Sequence, residues 1–289
     1  IILSIGTWPS VQRNKAAKAA KGDILYFFNK DARTEPDIFN KVVKIINGDV
    51  KIAGVGGPDL TPKDNSCIQH LFGYAMGSYF AHWKMRARYS TIGKERVSDE
   101  KELLLSNLAI RKSAYLKTNG LDERLYPNEE NELINRILKM GYKFIYSPDI
   151  RIYRDRRKTL FEFAKQFYRY GQGRMNQIFL EGSAKNLRFF IPSLLVIYFL
   201  ALPFAKKFWI SFMPILIYII FAMIDTIWIS VKNKKLALFL PFIYLIMHIS
   251  YGSGMLKAMY NNIVISSNSI KNKNNFNIIY IKKLGNLKV

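Results

Sequence analysis

The sequence predicts an α/β protein: a mostly parallel sheet with flanking helices, followed by a C-terminal transmembrane helical region. Three observations predict it. Short apolar runs alternate with helix-patterned stretches through the first half of the chain. Long apolar and aromatic runs begin at Leu187. Charge divides at the same place, because from Leu187 onward Asp225 is the one acid against twelve Lys and Arg, whereas residues 1–187 carry 32 basic and 20 acidic side chains.

Ile1–Gly6 is short and apolar and reads as a buried strand, since no basic leader or cleavage site accompanies it. Ser10 can cap a helix running through Arg13 to Lys21, with Gly22 ending it. Ile24–Phe28 has strand length, and Asn29-Lys30-Asp31 is a polar break directly after it. Pro36 suits a first helical turn, and Ile38, Val42, Ile45 and Ile46 share one helical face. Val50–Val55 reads as the next strand. This order implies parallel pairing, with a ligand site at the carboxyl ends of the strands, where Asn29–Asp31 falls. From Gly56 to about Val97 the pattern is mixed and predicts a long loop with a helix near Ile68–Ser78. Leu103–Arg111 then reads as a strand, Ser113–Thr118 as a short helix, Glu129–Met140 as a helix ended by Gly141, and Tyr142–Tyr146 as a strand.

A formal charge of +23 predicts a polyanionic neighbour, which the apolar segments narrow to lipid headgroups or a phosphorylated substrate. No RNA or DNA module is recognisable, so nucleic acid is not an expected partner. The one cysteine, Cys67, excludes an internal disulfide and reads as a small buried or neutral side chain. Three histidines without paired spacing argue against a zinc enzyme.

The segment from Asn128 to Met140 carries the chemistry. At about 100° per residue, Leu133, Ile134, Ile137, Leu138 and Met140 gather on one side. Glu132, Asn135, Arg136 and Lys139 take the other, and Glu129 lies at the boundary. Acids in a first turn favour the helix dipole, which accounts for Glu129 and Glu132. Glu130 falls in the middle of the apolar face, where desolvation of a carboxylate costs several kcal/mol unless something compensates. A carboxylate aimed inward at a helix start is a candidate general base.

Three stretches resemble the family 2 glycosyltransferases of the GT-A fold. Arg13-Asn14 through Asn29-Lys30-Asp31 is similar to a segment ending in that family's D-x-D-like motif, which holds a divalent cation against a nucleotide diphosphate. The resemblance implies donor-binding roles for Arg13, Asn29 and Asp31, with Asp31 the ligand of Mg²⁺ or Mn²⁺. Asn29 departs from the pattern by standing at the first acidic position. Leu121–Leu133 resembles the stretch that supplies the catalytic base, and Glu130 takes that position. Gln166-Phe167-Tyr168-Arg169-Tyr170 resembles the QxxRW motif of membrane-bound polysaccharide synthases, with Tyr170 in place of Trp. It implies acceptor and diphosphate contacts from Gln166, Arg169, Tyr170 and, just beyond, Arg174. A motif contacting the nucleotide base would precede Ile1, so the chain reads as an N-terminally incomplete copy of such an enzyme.

The resemblance implies a GT-A-like domain over 1–155, and composition and hydropathy give basic juxtamembrane helices over 156–187, a transmembrane region of two to three helices over 188–260 and a flexible basic tail over 261–289. The apolar stretches are about Phe189–Phe204, Phe208–Val231 and Leu236–Leu256, the first two forming a hairpin around Ala205-Lys206-Lys207. Asp225 is expected to face other helices or the interface rather than lipid. Lys232, Lys234 and Lys235 suggest a cytoplasmic loop, which puts the soluble region in the cytoplasm of a cell membrane, although the lysine-rich tail then emerges outside. The implied activity is inverting transfer from a nucleoside-diphosphate sugar to a lipid-linked or polysaccharide acceptor. The rival expectation is a non-catalytic, membrane-anchored binding or scaffold protein descended from such an enzyme.

Overall fold

The structure is a computed structural model that describes residues 9–182, 187–205, 208–233 and 235–271. The predicted strand Ile1–Gly6, the turn at Lys206-Lys207, the side chains of Lys232, Lys234 and Lys235 and the tail from residue 272 lie outside the described residues.

The soluble part begins with α1 (Pro9–Ala19), β1 (Ile24–Phe28), β2 (Arg33–Thr34), α2 (Ile38–Asn47), β3 (Ile52–Gly56) and β4 (Asp59–Leu60). Then come α3 (Cys67–Met76), the short α4 (Tyr79–His82), a 3₁₀ turn (Trp83–Arg88), β5 (Arg96–Ser98), β6 (Asn107–Arg111), α5 (Lys112–Lys117), α6 (Glu129–Lys139), β7 (Lys143–Tyr146) and β8 (Ile152–Tyr153). The stretch from Gly56 to Val97, expected as a loop with one helix, thus holds two helices, a 3₁₀ turn and two short strands, β4 and the start of β5, pairing with distant partners. Ser10 lies inside the first turn of α1 rather than capping it, and its hydroxyl donates to the Leu125 carbonyl at 3.0 Å. Ile38, Val42 and Ile46 of α2 are buried against β3 and β7, as one apolar face requires. Cys67, expected to be buried or neutral, is exposed at the first position of α3.

The main sheet has the order β1-β6-β3-β7-β5. β1, β3 and β7 run in one direction, as alternating strands and helices dictate. Their ladders are nevertheless mostly antiparallel: β6 lies between β1 and β3 and opposes both, β5 opposes β7, and only β3 with β7 is a parallel pair. The expectation of mostly parallel pairing fails because β6 arrives from far along the chain and fills the slot between its predecessors. A second sheet, β2-β8-β4, forms at the end where β1, β3 and β7 finish.

The membrane end is α7 (Leu160–Glu181), α8 (Ile191–Ala205), α9 (Met213–Asn233) and α10 (Leu240–Lys271). Three segments here are long and apolar enough to cross a membrane: Leu187–Phe204, Trp209–Val231 and Ala237–Val264. Helical structure continues past Asn261, where composition had suggested a flexible tail. Part of the reason is the Asn262 amide, which donates to the Asn176 side chain on α7 at 2.9 Å. α7 and α10 cross with their backbones almost touching. A β-carbon on Gly171 would overlap the Tyr251 carbonyl, and one on Gly254 would overlap the Tyr168 carbonyl. Small residues permit such close crossings.

Candidate functional site

The carboxyl ends of β1, β3 and β7 define one edge of the main sheet, and polar residues collect there. Asn29 and Asp31 form the turn leaving β1, with Asp31 exposed. Asn107, at the start of β6, accepts from the Tyr26 hydroxyl at 2.7 Å and donates to the carbonyls of Ile150 and Pro58 at 2.7 and 3.2 Å. Asp59, fully buried just beyond β3, carries two guanidiniums: Arg156 at 3.2 Å and Arg154 at 3.1 Å. Burial opposes the Arg154 charge, yet the charge of Asp59 and, more weakly, of Asp31 raises its pKa. Asp31 is therefore within electrostatic reach of this cluster.

Glu130 reaches the same edge by topology. α6 immediately precedes β7 and turns into it at Gly141, which takes a φ of +85°. A helix that runs down before a strand that runs up begins at the end where the strand finishes. The helix start is tightly held, including Glu132 on the polar side of the wheel. Glu129, Glu130, Asn131 and Glu132 are all buried. Glu132 accepts from Arg136 at 2.5 and 2.7 Å, and Arg136 also reaches the carbonyls of Thr118 and Gly120. Arg13, expected to bind donor, meets Glu129 at 2.5 Å. Burial, then the charge of Glu130, push the Glu129 carboxyl up to about 7, with Arg13 pulling the other way.

Glu130 takes a different path from Glu129: it lines a cavity of about 820 Å³. That cavity begins at Pro127, Asn128 and Glu130 and continues between the membrane helices to Leu195, Phe221, Ile224 and Trp228. Tyr170 and Arg174 of α7 also line it. The other two residues expected on the acceptor side do not. Arg169 is exposed and outside the cavity lining, one residue being a 100° step around α7 from Tyr170. Gln166 donates to the Tyr170 hydroxyl at 2.8 Å and accepts from Arg157 at 3.0 Å.

Two features escaped sequence reasoning, Arg88 and Gly173, whereas Asp225 faces other helices as expected. Arg88, buried in the 3₁₀ turn, faces the cavity and bonds the Asn131 side chain at 2.6 Å. Gly173 presses on the carbonyl of Pro127, fixing the loop before α6 against α7. Asp225 is buried toward the bundle and accepts from Ser78 at 2.6 Å, Tyr244 at 2.5 Å and the Phe80 amide at 3.4 Å. This ties α4 into the membrane helices. His82 stacks on Tyr89, and burial pushes its pKa down to about 4.

The fold is an α/β domain joined to helices long and apolar enough to cross a membrane, and the comparisons give its family. The family described as Glycosyl transferase family group 2 matches residues 24–256, so the chain belongs to that family. Among solved structures, it is similar to a mannosyltransferase from Pyrobaculum calidifontis in complex with GDP-Man and Mn²⁺. The TM-score is 0.56 at 12% identity, over 87% of this chain and 66% of that one, which establishes a shared GT-A fold. This chain therefore spans just under two thirds of that structure's length. No curated protein matches.

Proposed function

We propose that the chain is a membrane-bound inverting glycosyltransferase that moves a sugar from a nucleoside diphosphate to a lipid-linked or polysaccharide acceptor. The observation that carries this reading is Glu130, a carboxylate at a helix start on the sheet's ligand edge that opens into a cavity continuing between the membrane helices. As general base, Glu130 would take the proton of an acceptor hydroxyl. The hydroxyl oxygen then bonds the anomeric carbon from the face opposite the diphosphate, whose bond to the sugar breaks, and the configuration inverts.

The solved relative holds Mn²⁺, and the residues here are compatible with a divalent ion. Among the described residues no three His, Cys, Asp or Glu side chains gather as a ligand set. One carboxylate and one amide, Asp31 and Asn29, suit Mg²⁺ or Mn²⁺ held chiefly by substrate phosphates and water. Bound there, the ion would supply positive charge to the departing diphosphate. Tyr170 and Arg174 would face the acceptor. The soluble part is assigned to the cytoplasmic side of a cell membrane, where nucleotide sugars are made and toward which the Lys232–Lys235 loop is expected to face.

The test is transfer of radiolabelled sugar from GDP-, UDP- and dTDP-linked donors by membranes containing the full chain. Glu130→Gln should lower the rate roughly 10²–10⁴-fold without loss of protein. Undiminished activity would remove Glu130 from the mechanism. Asn29, standing where the family pattern has an acid, favours a second reading, a non-catalytic binding or scaffold protein. Calorimetry separates the two: Mn²⁺-dependent binding of GDP, UDP or dTDP argues against the scaffold.

A further inference from the structure

The Asp59 cluster at the ligand edge of the main sheet is not electrically closed, because one fully buried carboxylate faces two guanidiniums. Arg156 is committed to structure. Its Nε donates to the Thr61 hydroxyl at 2.9 Å, Nη1 to Asp59 Oδ1 at 3.2 Å and Nη2 to the Asp59 carbonyl, and its side chain is 3% exposed. Arg154 is held more lightly. Among the described residues its guanidinium makes one ion pair, with Asp59 Oδ2 at 3.1 Å, and 16% of the side chain stays open to solvent. A guanidinium carries five N–H donors, so most of this fork has no bond among the described residues. A largely desolvated cation that shares its counter-charge with a second one is costly unless an anion completes it.

Topology says which anion. β8 pairs antiparallel with β2, Arg33 opposite Tyr153, and one further step of that register brings Arg154 opposite Ala32, the residue after Asp31. The Arg154 amide donates to the Leu60 carbonyl at 3.0 Å, which fixes its backbone on β4. Besides Asp59, the groups near enough to act on its charge are Tyr170, Tyr89 and Asp31. Both tyrosines line the cavity that Glu130 opens into, whereas Asp31 is the candidate metal ligand. Arg154 is thus a cation within reach of both ends of the proposed reaction. Arg169, the cation that the QxxRW-like stretch would supply, is exposed and outside the cavity lining.

We propose that Arg154, rather than Arg169, meets the β-phosphate of the donor as the sugar leaves it. In that step the bond between the anomeric carbon and the β-phosphate oxygen breaks, and its electron pair stays on the oxygen. The acceptor oxygen bonds the carbon, and the acceptor proton goes to Glu130. Negative charge grows where a guanidinium can take it in two parallel bonds, and Asp59 keeps the fork from swinging away. The assignment rests on the donor reading given above, because it takes Asp31 to mark the diphosphate end.

The full chain in detergent with Mn²⁺ is titrated calorimetrically with GDP, UDP and dTDP and with the matching monophosphates. Arg154→Gln should weaken the diphosphate that wild type binds by roughly tenfold or more and leave the monophosphate unchanged. Arg154→Lys, which keeps the charge but not the fork, should recover part of the loss. In the radiolabel assay, kcat of Arg154→Gln should fall by a larger factor than the donor KM rises, since the charge is complete only once the bond has broken. A lowered thermal midpoint with the wild-type ratio of diphosphate to monophosphate affinity would make Arg154 a mere counter-ion to Asp59 and overturn the proposal. So would a greater loss of diphosphate affinity in Arg169→Gln than in Arg154→Gln. Should Arg154→Gln fail to fold, Arg154→Lys decides alone, an undiminished preference for the diphosphate overturning the assignment. Wild-type protein that binds none of the diphosphates would remove the donor reading itself, whereas binding that Arg154→Gln leaves intact removes this assignment alone.

Discussion

Gly173 packs against the carbonyl oxygen of Pro127 with no room for a β-carbon between them. The contact joins α7 to the loop that sets Asn128 and Glu130 at the mouth of the cavity. Two glycines two positions apart therefore do different work: Gly171 seats α7 on α10, and Gly173 seats the base-bearing loop on α7.

Gly173→Ala should shift that loop, because the obstruction is backbone and cannot swing aside. Overpacking of this kind costs about 1–3 kcal/mol. A displacement near 1 Å can cost on the order of 10²-fold in rate. The expected result is a modest fall in thermal midpoint with a disproportionate fall in kcat, measured on the same preparation. A wild-type kcat would show that the loop position does not govern the chemistry.

Glu129 makes a prediction about pH. Its carboxyl is pushed up to about 7 by burial first and by Glu130 second. Between the ordinary carboxylate value and about 7, the folded protein holds a proton that the unfolded chain has released. The group's contribution to stability is therefore fullest in acid and falls as pH rises through that window. Glu129→Gln cannot ionise and should lack this fall. Thermal midpoints should match wild type near pH 5 and exceed it at pH 8; an equal offset at both values would contradict the assignment.

The sequence made some of this legible and hid the rest for physical reasons. Periodicity found β1, α2 and α6 because each is a local pattern, and the helical wheel singled out Glu130 because a carboxylate on an apolar face is costly. Insertion of β6 between β1 and β3 is a long-range event with no local signature. Glu132 lay on the polar side of the wheel, which cannot see α1 and α7 packing at the helix start. Arg88 lay in a stretch without clear periodicity, and its burial beside Asn131 of α6 is a property only three dimensions reveal. The motif around Gln166–Tyr170 located α7 correctly, yet the helix turns Arg169 outward and leaves Arg174, one turn later, in the cavity.

Asp59 joins two arginines from the end of β8 to the sheet edge, so removing its charge should be expensive. Breaking a buried pair by neutralising one partner costs roughly 3–5 kcal/mol, because the other charge stays buried and uncompensated. Asp59→Asn should lower the thermal midpoint sharply, whereas Asp59→Asn combined with Arg156→Met should recover part of the loss. If the double variant is no more stable than the single one, the pair is not the source of the cost.

Asp225 extends the same reasoning into the membrane region. It gathers three donors, Ser78, Tyr244 and the Phe80 amide, and so fastens α4 and the following basic 3₁₀ turn to α9 and α10. Asp225→Asn keeps a carbonyl acceptor of nearly the same shape, while Asp225→Leu leaves all three donors unmet at about 1–3 kcal/mol for each that stays buried. The turn it secures carries Lys84, Arg86 and Arg88, which are sites for trypsin only when the segment lifts from the bundle. Trypsin should therefore cleave there faster in Asp225→Leu than in wild type, with Asp225→Asn between them. Cleavage at one rate in all three proteins would mean that the turn is held by apolar packing of Phe80 and Ala81 and not by the carboxylate.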